Sequence, residues 1–126
     1  MKLLLIDDDK PSLKALSATL EMLGFDSEAF NNPAEAVARF QRKNDFDLVI
    51  TDLRMPAMSG MEVMRSVRAC DSVIPIVVIT AYKDHAQLQA DRIFYKPVNI
   101  RSLVKYLNLF KSREGFSTDK LADENR

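Results

Sequence analysis

Three aspartates, Asp7, Asp8 and Asp9, follow the apolar run Leu3-Leu4-Leu5-Ile6. A single Asp52 follows Val49-Ile50-Thr51, and Lys96-Pro97 follows Ile93-Phe94-Tyr95. Each apolar run has the length and composition of a buried strand. In a parallel α/β sheet the carboxyl ends of the strands meet at one edge, and ligand sites form there. Distant residues would then converge: several carboxylates, one ammonium and, after Val78-Ile79, the hydroxyl of Thr80. Carboxylates sharing a pocket repel and raise one another's pKa, a penalty that a divalent cation reverses. Mg²⁺ favours a few carboxylate oxygens together with waters and phosphate oxygens, which is this inventory. Asp52 stands where a carboxylate can attack phosphorus and become an acyl phosphate. Lys96 would neutralise phosphoryl oxygens, worth ~4 kcal/mol of gross Coulomb energy at ~4 Å and an effective dielectric of ~20. The backbone N–H groups of Leu53 and Ala81 add donors. Asp9 alone suffices to cap the helix that follows, so capping does not account for Asp7 and Asp8.

Apolar runs alternate with segments of helical period. After Leu3–Ile6, residues Leu13, Leu16, Leu20 and Leu23 mark one helix face, with Pro11 in the first turn and Gly24 at C′. A weaker strand, 25–30, leads to a second helix capped by Asn32, with Pro33 at N1, Glu35 at N3, and Ala36, Val37 and Phe40 inward. Residues 46–51 form the third strand. A helix from about Gly60 then turns Val63, Met64 and Val67 inward. Ile76-Val77-Val78-Ile79 reads as a strand buried on both faces, and 93–95 as a short last one. Asn99 caps a final helix carrying Ile100, Leu103, Val104, Leu107 and Phe110. Five β/α units predict one parallel sheet with helices on both faces. The pattern ends after Ser112, so 1–112 is read as the domain and 113–126 as a flexible tail or linker stub.

The 126 residues are ordinary for one globular domain, with 47% apolar and 29% charged residues. Lys+Arg and Asp+Glu are both 18, so no basic excess argues for direct nucleic-acid binding. The lone Cys70 cannot bridge internally and is expected to be a small buried or half-buried residue; the only histidine, His85, is expected to be solvated. None of the three glycines (Gly24, Gly60, Gly115) sits in a phosphate-cradling loop, and there is no G-x-S-x-G elbow. The N-terminal apolar run is too short for a signal peptide, and nothing approaches the roughly 18 apolar residues of a span. The expectation is a cytoplasmic protein with no membrane partner.

The chain resembles the receiver domains of two-component response regulators, the CheY-like family. The resemblance rests on Leu4-Leu5-Ile6-Asp7-Asp8-Asp9, on Asp52-Leu53-Arg54-Met55-Pro56-Ala57-Met58-Ser59-Gly60-Met61-Glu62-Val63, on Thr80-Ala81 and on Lys96-Pro97. It implies a flavodoxin-like, doubly wound (βα)5 fold with a five-stranded parallel sheet. It also implies that Asp52 accepts a phosphoryl group from the phosphohistidine of a sensor histidine kinase or phosphotransfer protein, with Mg²⁺ required. Asp8, Asp52 and the Arg54 backbone carbonyl would be direct metal ligands, with Asp7 acting mainly through water. Thr80 and Lys96 would engage the phosphoryl group, and Pro97 would follow a cis bond that aims the lysine inward. Such a domain is no metabolic enzyme. It catalyses only its own phosphorylation and dephosphorylation, and signals by a population shift to an output domain or partner that the sequence does not name.

Two departures bear on the readout. The aromatic residue usually found three places before the lysine is replaced by Ile93, which puts the usual threonine–aromatic switch in question; Tyr82 is a substitute, or a screen for the phosphate. Thr80 and Lys96 are also about six positions closer than usual, ~9 Å of helix, so the helix between the fourth and fifth strands is expected to be short or missing. Any homodimer is then expected to use a non-standard interface. The rival within the family is a receiver locked in one state, acting as a phosphorylation-independent interaction module. A haloacid-dehalogenase-type phosphatase needs a second aspartate two residues after the first, where this chain has Arg54.

Overall fold

The structure, a computed structural model, describes residues 1–83 and 89–115, with side chains through 111. It divides into two units, Met1–Lys96 and Pro97–Arg126. The first holds β1 (Lys2–Ile6), α1 (Lys10–Met22), β2 (Asp26–Phe30), α2 (Pro33–Arg42), β3 (Leu48–Thr51), α3 (Gly60–Cys70), β4 (Ile76–Thr80) and β5 (Arg92–Tyr95). The strands form one sheet in the order β2-β1-β3-β4-β5, every pair parallel. This is a doubly wound order whose direction of winding reverses between β1 and β3, the place where such sheets hold ligands.

Strand alternation divides the core between the two faces of the sheet. Leu4, Ile6, Val49, Ile76 and Val78 join Ala36, Val37 and Phe40 of α2 and Val63, Met64 and Val67 of α3 in one buried cluster. Leu3 and Leu5 alternate to the opposite face, where α1 packs on β1 and β2 through Leu13 and Leu20. All five residues of β4 are buried, as its β-branched run requires.

The caps follow local chemistry. Asn32 Oδ1 accepts the N–H groups of Ala34 and Glu35, at 2.9 and 3.2 Å. Ser59 Oγ accepts that of Glu62 at 3.3 Å. Asp9 occupies the N-cap of α1, but its carboxylate takes the Ser12 hydroxyl rather than a backbone N–H. At the other end of α1, Gly24 adopts φ +93° and donates to Glu21 O at 3.0 Å, while Phe25 N donates back to Leu20 O at 3.0 Å. That paired bonding closes the helix and delays β2 by one residue from the expected start. β3 starts at Leu48 rather than at 46, where its pairing with Leu3 of β1 begins, and the Phe46 ring just before it stacks on Phe40 with centroids 6.2 Å apart. Cys70, the last residue of α3, is exposed, contrary to the expected burial: it ends the helix on the side away from the core.

Residues 81–83 and 89–91, between β4 and β5, are not helical; the rest of the region expected to hold a short or missing helix, 84–88 with His85, lies outside the described residues. The second unit contains α4 (Ile100–Gly115), opened by Asn99, whose Oδ1 accepts Ser102 N–H at 3.0 Å. Leu103 and Leu107 are fully buried. α4 runs three residues past the expected boundary at 112, since a helical backbone continues through polar residues without an apolar stripe; 116–126 of the expected tail lie outside the described residues.

Candidate functional site

β1 and β3 are adjacent and in register, with Ile6 opposite Thr51, so the residues that follow them emerge side by side. Asp52 N–H donates to Ile6 O at 2.9 Å, which carries the ladder one step past the strand and fixes the Asp52 backbone. Asp7 N–H in turn bonds Phe30 O of β2 at 3.2 Å. The Asp7 carboxylate is oriented by the Asp9 N–H, 3.0 Å from its Oδ1. Carboxylate oxygens of Asp7, Asp8 and Asp52 lie within 4.8 Å of one another. Asp8 is exposed, whereas the side chains of Asp7 and Asp52 retain 13% and 11% exposure.

Lys96 comes to this cluster from the end of β5. Its Nζ is 3.1 Å from Asp7 Oδ2 and 3.2 Å from Asp52 Oδ2. Its N–H donates to Thr80 O at 2.8 Å, which continues the β4–β5 ladder and sets where the side chain begins. Burial raises the pKa of Asp52 above the ordinary aspartate value; the Leu53 N–H, 2.7 Å from Asp52 Oδ1, and the Lys96 charge pull it down without cancelling the rise, and the charge of Asp7 adds to it. Burial lowers the pKa of Lys96, but the Asp7 hydrogen bond and the charges of Asp52 and Asp7 outweigh this, and the net shift is upward. The two upward shifts differ in origin: burial dominates at Asp52, and contact with two carboxylates dominates at Lys96. Lys96 stays charged, and the surplus negative charge calls for a further positive group.

Asp7, Asp8 and Asp52 fit a magnesium ion. All three are hard oxygen donors of the kind Mg²⁺ takes, and their oxygens gather within 4.8 Å of one another, so the three together would hold one small divalent cation. The Arg54 carbonyl, expected as a further ligand, belongs to the same β3–α3 loop.

Thr80 ends β4 fully buried, and its Oγ1 accepts the Tyr82 N–H at 3.1 Å. Ala81 is exposed. The Leu53 N–H, expected to bind a phosphoryl oxygen, is donated to the Asp52 carboxylate itself. Ile93 is half buried, pairs with Val78 across the sheet and packs on the α2–α3 side of the core. Tyr82 is 48% exposed and lies against the Arg54 guanidinium, 4.1 Å from its ring centre, so that the β3–α3 and β4–β5 loops meet there. Pro97 is exposed and opens the second unit.

Gly60 belonged to the motif but had no role assigned from the sequence. A Cβ there would collide with the carbonyl oxygen of Asp52 and lie 2.9 Å from Leu53 Cα. The signal was a glycine in the first turn of a helix, where it costs stability unless a close approach demands it.

Comparison with known proteins agrees with this geometry. Residues 3–108 match the family described as the response regulator receiver domain. A transcriptional regulatory protein CpxR homolog of Haemophilus influenzae is 31% identical over 128 residues, which take in 97% of this chain and 55% of that protein. The chain thus spans about half the length of that curated relative. A response regulator receiver domain protein from Clostridium thermocellum superposes with a TM-score of 0.83 at 26% identity, covering 91% of this chain and 97% of the other. Response regulator protein TrrA from Thermotoga maritima, solved in complex with Mg(2+)-BeF, gives 0.78 at 28% identity, covering 86% and 97%. With the doubly wound sheet and the acidic site at its switch point, these matches show that the chain belongs to the response regulator receiver domain family.

Proposed function

We propose that this receiver takes a phosphoryl group on Asp52 from a phosphohistidine of a sensor histidine kinase or phosphotransfer protein, and that the change is read by an output domain or partner. The observation that carries the reading is the pairing of Asp52 Oδ2 with Lys96 Nζ at 3.2 Å beside Asp7 and Asp8. An Asp52 oxygen attacks phosphorus in line; the new P–O bond forms as the P–N bond breaks, and its electron pair leaves with the donor imidazole. Lys96, already charged and already in the pocket, pairs with the phosphoryl oxygens as they gain exposure to it. The Leu53 N–H holds the nonattacking carboxylate oxygen and so orients the nucleophile. Magnesium held by Asp7, Asp8, Asp52 and the Arg54 carbonyl would neutralise phosphoryl charge.

The acyl phosphate would also be hydrolysed here without a dedicated base, so that the domain sets the lifetime of its own signal. Donation of the Thr80 O–H to the phosphoryl group would draw on the same oxygen that accepts the Tyr82 N–H, so movement of the hydroxyl towards Asp52 would couple its occupancy to the β4–β5 loop. No helix among the described residues is long and apolar enough to cross a membrane.

The test is intact mass of the protein after incubation with acetyl phosphate and Mg²⁺, beside Asp52→Asn and a chelator control. One phosphoryl gain that requires both Asp52 and Mg²⁺ supports the reading. Absence of any gain in the wild-type protein overturns it and leaves a module that binds its partner without phosphorylation.

A further inference from the structure

β5 is a four-residue edge strand, and only Ile93 and Phe94 within it are turned from solvent. Side-chain pattern alone therefore specifies its register weakly. Yet its register decides where Lys96 begins: a slip of one residue along β4 would shift Lys96 by ~3.3 Å and send its side chain to the other face. Contacts of 3.1 and 3.2 Å to Asp7 and Asp52 would not survive that.

A polar clasp sits at the far end of the same strand pair. Asp91, immediately before β5, donates its N–H to Ile76 O at 2.8 Å and accepts the Ile76 N–H on Oδ2 at 2.7 Å. One residue thus grips both backbone groups of the residue that opens β4. The same Oδ2 takes Arg68 Nη2 of α3 at 2.8 Å. Arg68 Nη1 reaches back to the Ile74 and Ser72 carbonyls. The end of α3, the α3–β4 turn and the starts of β4 and β5 are joined through these two side chains. The ladder from this clasp runs through Val77↔Arg92, Val78↔Ile93, Ile79↔Phe94 and Thr80↔Tyr95 to the bond from Lys96 N–H to Thr80 O.

We propose that Asp91 is a positioning residue for Lys96: by fixing β5 against Ile76 it places the Lys96 ammonium between Asp7 and Asp52. This rests on the phosphoacceptor reading of Asp52, and it goes beyond that reading by assigning a role to a residue at the opposite end of β4. The bond from Asp91 N–H to Ile76 O is backbone and survives substitution, so the pin under test is the Ile76 N–H held by Asp91 Oδ2. An amide oxygen can accept that N–H, whereas a methyl group cannot.

The experiment measures the rate of phosphorylation by acetyl phosphate in Mg²⁺ for wild type, Asp91→Ala, Asp91→Asn, Lys96→Ala and the double variant Asp91→Ala/Lys96→Ala. In parallel, the Lys96 ammonium resonance is followed by ¹⁵N NMR without acetyl phosphate. The expected result is a rate loss of about tenfold for Asp91→Ala, near wild-type behaviour for Asp91→Asn, and no further loss from Asp91→Ala once Lys96 is absent. The ammonium resonance should move in Asp91→Ala and return in Asp91→Asn. Equal loss from Asp91→Ala in both backgrounds, or failure of Asp91→Asn to restore the rate, overturns the proposal in favour of a merely structural clasp. If Asp91→Ala does not fold, Asp91→Glu replaces it, keeping the charge for Arg68 but displacing the acceptor by one methylene. If wild type gains no phosphoryl group, the phosphoacceptor reading fails by itself and the ammonium resonance decides: a shift restored by Asn sustains the positioning role, and an unmoved resonance refutes it.

Discussion

Gly60 N–H donates to Leu53 O at 2.7 Å, which presses the first turn of α3 against the backbone that carries Asp52. Only a residue without Cβ allows this approach, because the added carbon would meet the Asp52 carbonyl and not a movable side chain. Gly60→Ala is therefore expected to cost about 1–3 kcal/mol, the range for forced overpacking, despite the better helix propensity of alanine. Urea unfolding measures the loss. Because the displaced atoms flank Asp52, the proposed phosphoacceptor, phosphorylation by acetyl phosphate should slow as well. A variant as stable and as reactive as wild type would show that the loop yields freely.

Asp52→Asn should raise the melting temperature in metal-free buffer at neutral pH. The Asp52 pKa in the fold lies above its ordinary value of 3.8, chiefly through burial. A carboxyl group raised in this way weakens the fold as pH climbs through the interval between the ordinary and the raised value, because the folded state resists ionisation. Above that interval the wild type bears the full cost and the amide does not; below it the two proteins should converge. Mg²⁺ should narrow the gap at neutral pH by stabilising the wild type. Thermal melts at several pH values, with and without Mg²⁺, check both parts.

At the opposite edge of the sheet the sign reverses. Lys2 Nζ contacts Asp45 at 2.8 Å and Glu28 at 2.9 Å, and Arg39 Nη2 contacts the same two carboxylates at 2.9 and 2.8 Å. Both cations lie over the Phe46 ring, 5.0 and 4.7 Å from its centre. The hydrogen bond from Lys2, aided by Arg39, holds Asp45 at about 2, below its ordinary 3.8. A carboxyl group depressed in this way contributes stability above its unfolded value, and that contribution fades as pH falls from about 4 towards 2. Asp45→Asn should accordingly lower the melting temperature at pH 7, with the difference shrinking over that acid interval and with added salt. A difference independent of pH would assign the effect to packing.

The strands and helix starts were legible because their signals are local. Apolar runs at Leu3–Ile6 and Ile76–Thr80 and caps at Asn32 and Asn99 lie within a few residues of what they specify. Convergence of Asp7, Asp52 and Lys96 was legible too, since parallel topology alone brings strand ends together. What escaped depends on contacts between residues far apart in the chain. Asp91 has no periodicity to mark it, and its meaning lies in Ile76 and Arg68, fifteen and twenty-three positions away. Phe46 looked like a strand residue but acts as an aromatic anchor under Lys2 and Arg39. The burial of Cys70 was misjudged because a helix's last residue can face either way without altering its apolar stripe.

The Arg54–Tyr82 pair gives the most direct prediction about signal lifetime. Each residue stands two places after a site residue, Asp52 and Thr80 respectively, and the guanidinium sits 4.1 Å from the ring centre. The stack ties the loop that follows Asp52 to the loop whose Tyr82 N–H holds the Thr80 hydroxyl. The position three before Lys96 is Ile93, and Tyr82, two after Thr80, donates its backbone N–H to the Thr80 hydroxyl. On the proposed phosphorylation of Asp52, loss of the stack would free both loops and expose the acyl phosphate to water. An exposed cation–π contact is worth about 0.5–1 kcal/mol, which converts to a two- to fivefold change in rate at about 1.4 kcal/mol per decade. Tyr82→Ala and Arg54→Ala should each shorten the Asp52 phosphate half-life by about that factor, and the double variant should do no worse than either alone. Tyr82→Phe keeps the ring and should keep the half-life. Additive effects of the two alanine variants would show that the side chains act separately, and an unchanged half-life would mean that the stack does not shield the site.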